Sequence, residues 1–112
     1  MHGAQVYVAD CGNYRVQVFG LDGSFVREWG GRGSGEGQFN YPVGIMVRGE
    51  LVYVADRENH RVQVFGPDGS FVHAWGTRGS GPSQFVGPQG LAVHAGHLWV
   101  CDVTNHRVLR FR

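Results

Sequence analysis

The sequence predicts an all-β chain of four-stranded antiparallel blades, a segment of a β-propeller. Three observations predict it. A repeat with a 46-residue step runs through the chain: Val6-Tyr7-Val8-Ala9-Asp10 returns as Val52-Tyr53-Val54-Ala55-Asp56 and as Leu98-Trp99-Val100-Cys101-Asp102. Residues 6–39 and 52–85 are identical at 25 of 34 positions. Within each unit, short β-branched and aromatic runs alternate with polar residues, and no stretch holds the 3.6-residue period of a helix. Glycine supplies 19 of the 112 residues, far above the usual ~7%, so the chain is cut into short pieces by turns. Four strands in each step match the blade spacing of about 40–50 residues.

The elements follow in order. Val-Tyr-Val-Ala ends at Asp and is followed by a Gly/Asn or Glu/Asn turn. Arg15-Val16-Gln17-Val18-Phe19 and its copy at 61–65 alternate, with one buried and one wetter face. Asp22-Gly23 and Asp68-Gly69 tolerate positive φ and close hairpins. Residues 24–29 and 70–75 make the next strand, and the glycine-rich stretches 30–37 and 76–81 lead on as flexible connections between blades. Pro42-Val43-Gly44-Ile45-Met46-Val47 is a further strand, as is its copy at 88–93. Labelling strands a to d from each glycine loop onward, the chain reads b-c-d, a-b-c-d, a-b-c. That divides it into a partial blade at 1–30, a full blade at 31–76 and a partial blade at 77–112. Propellers close at about 4–8 blades, so exposed blade faces are expected to be covered by homo-oligomerisation or by the rest of a longer propeller. In a three-chain ring closed head to tail, residues 5–19 would be surplus.

Composition narrows the function. The formal net charge is +1, so no global field points to nucleic acid or an acidic membrane. No apolar run approaches the ~18 residues of a membrane span and the N-terminus has no signal-peptide pattern, so the expectation is a soluble cytoplasmic domain with no membrane partner. Cys11 and Cys101 are too few for a disulfide framework; Cys101 is expected buried in a strand and Cys11 accessible in a turn.

Several side chains invite a chemical reading. Asp10, Asp56 and Asp102 recur with Asn13, Asn59, Asn105 and Arg15, Arg61, Arg107. Recurrence in every unit points to scaffold: Asp and Asn bonding turn amides, Arg pairing between neighbouring blades. His2, His60, His73, His94, His97 and His106 fall in different blades or across short turns, without metal-ligand spacing. The inner strands at 44–47 and 90–93 bring no carboxylate or imidazole to a central channel. The expectation is no metal, no cofactor and no catalysis. The glycine loops lack the Lys-Ser/Thr ending of a phosphate cradle. Trp29, Trp75 and Trp99 are expected to pack blades. The face that collects the glycine loops and the b–c turns gathers Arg32, Tyr41, Arg57, His60, Arg78, Tyr14 and His106.

Tyr53-Val54-Ala55-Asp56, then Asn59 through Phe65, then Asp68-Gly69-Ser70-Phe71, resembles the NHL repeat. Gly37-Gln38-Phe39 with Pro42-Val43-Gly44-Ile45 is similar to that repeat's opening. The resemblance implies a β-propeller, typically of about six blades. It occurs in ubiquitin ligases of the tripartite-motif type, RNA-binding translational regulators, secreted lyases and bacterial sensor kinases. No RING-like Cys/His cluster, B-box or kinase signature accompanies it in this sequence. The expected function is a non-catalytic scaffold that binds a protein or peptide on its loop face. Basic and aromatic groups together also suit single-stranded RNA. A structural or engineered propeller-assembly fragment without a ligand is the remaining alternative.

Overall fold

A computed structural model of the protein describes residues 4–111. His2, expected in a turn, lies outside them. Ten strands form three antiparallel sheets. The first blade holds β1 (Gln5–Asp10), β2 (Arg15–Gly20) and β3 (Phe25–Gly30). The second is a complete four-stranded sheet of β4 (Pro42–Arg48), β5 (Leu51–Asp56), β6 (Arg61–Phe65) and β7 (Phe71–Trp75). The third holds β8 (Pro88–His94), β9 (His97–Asp102) and β10 (Arg107–Phe111). All pairing is between chain neighbours, as short turns require.

Register repeats with the sequence. Asp10 pairs with Arg15, Asp56 with Arg61 and Asp102 with Arg107 at the same end of each b–c hairpin. A bulge between Val18 and Phe19 recurs between Val64 and Phe65, where the c strand bends into its Asp-Gly turn. Pro42 and Pro88 open the inner strands, positions at which a missing N–H costs no ladder bond. The b–c turns at Cys11–Asn13 and Arg57–Asn59 are single turns of 3-10 helix, a local detail that the absence of helical periodicity did not announce.

Two apolar clusters bind the blades face to face. Val16 from the first blade meets Val52, Val54 and Phe65 of the second, with Phe39 driven between them. Val62, Val64 and Tyr53 on the other face of the second blade meet Leu98 and Val100 of the third, with Phe85 between. Phe39 and Phe85 are fully buried, and each contributes about 1.5–3 kcal/mol of side-chain burial. Each phenylalanine ends a glycine loop, so the loops are pinned at that point. The loops are not flexible connections: Arg32 bridges to Phe39 and Arg78 to Phe85 in short parallel pairings. Trp29 packs on Phe65 and Trp75 on Phe111, the blade contacts expected of them.

The outer face of each end blade is open. Val6 and Val8 are 44% and 38% exposed, whereas their repeat counterparts Val52 and Val54 are buried. At the other end Val108 is 58% exposed against complete burial of Val62. Cys101 is exposed, contrary to the expectation of a buried strand residue. Its counterpart Ala55 is buried by the blade that follows, and among the described residues no blade follows the third.

Candidate interaction face

A clasp built from the recurring Asp, Asn and Arg sets the loop face. Asp56 is fully buried. Its Oδ1 accepts the Asn40 N–H at 2.8 Å, and its Oδ2 accepts from Asn59 at 3.0 Å and from Arg61 Nε at 2.8 Å. Arg61 then spends its remaining donors on the loop from the preceding blade. Its two terminal nitrogens reach the carbonyls of Ser34 (3.0 Å), Gly35 (2.9 Å) and Gln38 (2.8 Å). Asn59 donates to the Gly33 carbonyl at 2.8 Å. The third blade repeats the arrangement: Arg107 holds Asp102 and the carbonyls of Ser80, Gly81 and Gln84, and Asn105 holds Gly79. Only a planar fork can serve a carboxylate and three carbonyls together, which explains arginine over lysine here. In the second and third blades the carboxylate–Arg set is therefore consumed in holding the loops between blades.

The other side chains expected on the loop face make contacts of their own. The Tyr14 and Tyr41 rings meet with centroids 5.7 Å apart, and the Arg32 guanidinium lies over Tyr14 at 5.2 Å. Tyr41 is 43% exposed and Arg32 is also exposed. Arg57 adjoins them: its N–H donates to the Tyr41 carbonyl, and its side chain pairs with Glu58 at 3.4 Å. His60 is half-buried, its Nδ1 accepting the Gly87 N–H at 3.2 Å, so it ties the second blade to the third. Arg78 and His106 are exposed and belong to the next blade junction. The structure thus gathers Tyr14, Arg32 and Tyr41 into one patch, sets Arg57 beside it and gives His60 a structural bond.

Tyr41 carries a signal beyond its exposure. It lies in the left-handed region at φ 59°, where the equivalent residue of the next repeat is Gly87 at φ 74°. A bulky residue held there costs backbone energy that glycine avoids. Alignment of Tyr41 with Gly87 was the sequence clue to this. By contrast Tyr14, His60 and His106 share a left-handed φ of 53–56° as a feature common to all three b–c turns.

No group of three or more His, Cys, Asp or Glu side chains among the described residues is arranged to hold a metal ion. Three aspartates titrate low. Asp22 accepts from the Ser24 hydroxyl at 2.6 Å and from its N–H, and Asp68 does the same with Ser70; these bonds hold both carboxyls below the ordinary 3.8. Asp10 is lowered by its bonds from Asn13 and Arg15.

Blades of this topology, joined by apolar faces and loop clasps, define a β-propeller segment. Two stretches of the chain, residues 39–65 and 85–111, are NHL repeats, matching that family's model. Each match runs from the buried loop phenylalanine through the clasp to the end of strand c. NHL repeats are protein-interaction scaffolds. The RING finger protein nhl-1 of Caenorhabditis elegans is 44% identical over 45 residues, a match covering 40% of this chain and 5% of that protein. A crystal structure from Bacteroides thetaiotaomicron, of a protein named as a phosphatase, superposes over 96% of this chain and 32% of its own with a TM-score of 0.74. At 17% identity that likeness speaks to fold alone. The chain spans a small part of the curated relative and about a third of the solved one.

Proposed function

We propose that this propeller segment is a non-catalytic scaffold whose loop face binds a protein or peptide at the Tyr14–Arg32–Tyr41 patch. The observation that carries the reading is Tyr41, kept in a left-handed conformation, exposed, and packed at a tilt against Tyr14 in a patch that the next repeat lacks. Strain at a position where the sister repeat uses glycine is retained when the side chain is needed. Tyrosine and arginine are also the residue types that dominate binding hot spots. The test is peptide-display selection on the wild-type chain, counter-selected with a Tyr14→Ser/Arg32→Ser double variant. Sequences enriched on wild type alone support the reading; equal enrichment on both refutes it.

Single-stranded RNA is the second reading, favoured by the same stacking of arginine on tyrosine. The electrostatics favour it less. Arg15, Arg61 and Arg107 are paired to aspartates, and Arg57 to Glu58. Affinity for an oligonucleotide that falls steeply with salt would support RNA over peptide.

A further inference from the structure

We propose that the loop face at the junction of the second and third blades binds the phosphoryl group of a phosphorylated side chain on a peptide. The site rests on the loop-face reading for the peptide and adds a separate place for its charge. The elements that form the junction lie within the described residues, with a blade on each side. At the first junction Tyr41 rests against Tyr14; at the second the same two positions hold Gly87 and His60. Loss of the tyrosine side chain makes room for polar groups. Around the point where a side chain on Gly87 would begin, Thr104 Oγ1 lies at 3.5 Å and Arg57 Cγ and Nε at 3.8 Å. His60 joins them: its Nδ1 accepts the Gly87 N–H at 3.2 Å, which leaves Nε2 to carry the proton and donate. Arg57 and Thr104 are peculiar to this junction. Cys11 and Val103 stand at the position of Arg57 in the other b–c turns, and Gly12 and Glu58 at that of Thr104.

Charge decides the ligand. Arg57 Nε pairs with Glu58 at 3.4 Å, and both side chains are exposed, so water already weakens that pair. A phosphoryl group carries a charge of about −1.5 to −2 at neutral pH and three strong acceptor oxygens. That is enough to draw the guanidinium from a single carboxylate while also accepting from the Thr104 hydroxyl and His60 Nε2. A carboxylate ligand would bring no more charge than Glu58 already supplies. Arg78 is exposed and pairs with no carboxylate among the described residues. It holds the repeat position of Arg32, which covers Tyr14 at the first junction, so a second cation belongs to the His60 side. A nucleic-acid backbone needs a run of free cations. Arg15, Arg61 and Arg107 are committed to aspartates and the formal net charge is +1, so one anionic group fits better than a chain of them.

The experiment is a two-dimensional NMR titration of the intact chain with acetyl-Gly-Gly-phosphoserine-Gly-Gly-amide, beside the serine and glutamate versions of that peptide and inorganic phosphate. Saturable shifts at Arg57, His60, Gly87 and Thr104 are expected with the phosphopeptide, and none with the serine peptide. The glutamate peptide should bind at least about fivefold more weakly. Arg57→Gln should weaken phosphopeptide binding by about tenfold or more. Glu58→Gln frees the guanidinium and should strengthen it by about threefold, a gain that an arginine with a purely structural role would not produce. Absence of shifts at about 5 mM phosphopeptide, several times a 1 mM dissociation constant, overturns the proposal. Equal shifts with the serine peptide, shifts that survive Arg57→Gln, or weaker binding after Glu58→Gln overturn it equally. Inorganic phosphate that binds about tenfold tighter than the phosphopeptide would assign the site to a free anion and overturn it too. Peptide selection that depends on Tyr14 and Arg32, without phosphopeptide shifts, refutes this site alone; the converse refutes the tyrosine patch alone.

Discussion

Gly44 and Gly90 occupy the same position of the repeat, yet their surroundings differ, and alanine at each makes a controlled test of blade packing. A Cβ on Gly44 would strike the carbonyl oxygen of Gln89 on the neighbouring inner strand and press on the Ala55 Cβ at 3.3 Å. Relief requires β4 and β8 to separate, which loosens the cluster holding Met46, Leu91, Tyr53 and Val100. Overpacking of this kind costs about 1–3 kcal/mol, and a clash with backbone falls at the upper end. A Cβ on Gly90 would meet only the Cys101 Cβ at 3.3 Å on an open face. Relief of glycine's excess chain entropy, ~0.5–1 kcal/mol, offsets that contact. The expected difference is therefore about 2 kcal/mol, or roughly 8 °C in thermal midpoint at ~4 °C per kcal/mol. Parallel thermal melts followed by far-UV circular dichroism read it directly. Equal shifts for Gly44→Ala and Gly90→Ala would refute the close approach of the two inner strands.

Arg61→Ala leaves the fully buried Asp56 without its cation and frees the loop carbonyls; a loss of about 3 kcal/mol in urea unfolding is expected. Arg15→Ala, at a half-buried pair whose arginine holds no loop carbonyl, should move the midpoint by a small fraction of that, and matching losses would contradict the packing described. Ala95→Gly relaxes a left-handed residue (φ 53°) where the sister turn uses Gly49 at 61°, so a gain of about 0.5–1 kcal/mol is expected in the same assay. The depressed carboxyls of Asp22 and Asp68 contribute stability that is present above their unfolded value near 3.8 and is lost as pH falls through the lower folded value. Carboxyl-carbon NMR titration should place both below 3.8, with Ser24→Ala returning Asp22 toward it; no response to that change would show that the Ser24 bonds are not the cause.

The repeat made most of the fold legible. Val-Tyr-Val-Ala-Asp recurring at a fixed step placed β1, β5 and β9 and, through Asp-Gly, the c–d turns. It also showed that Asp56, Asn59 and Arg61 serve the scaffold, because every unit carries them. What Arg61 grasps was not legible: its acceptors are the backbone carbonyls of Ser34, Gly35 and Gln38, and carbonyls leave no mark in a sequence. Cys101 misled for a related reason, since a strand residue's burial depends on whether a blade lies beyond it. Tyr41 was legible as an exposed aromatic but not as a strained one until its pairing with Gly87 was read as a difference in backbone.

Repeated residues hold the blades together, whereas Tyr14 and Tyr41, replaced by His60 and Gly87 in the next unit, belong to the proposed partner site. Tyr41→Gly tests that division in one variant, by measuring its unfolding midpoint alongside its affinity for peptides selected on the wild-type chain. Glycine relieves the left-handed strain while removing the ring contact with Tyr14, so stability should stay within about 1 kcal/mol of wild type. Binding should fall at least tenfold. Retained affinity, or a collapse in stability, would contradict the claim that this tyrosine is kept for recognition.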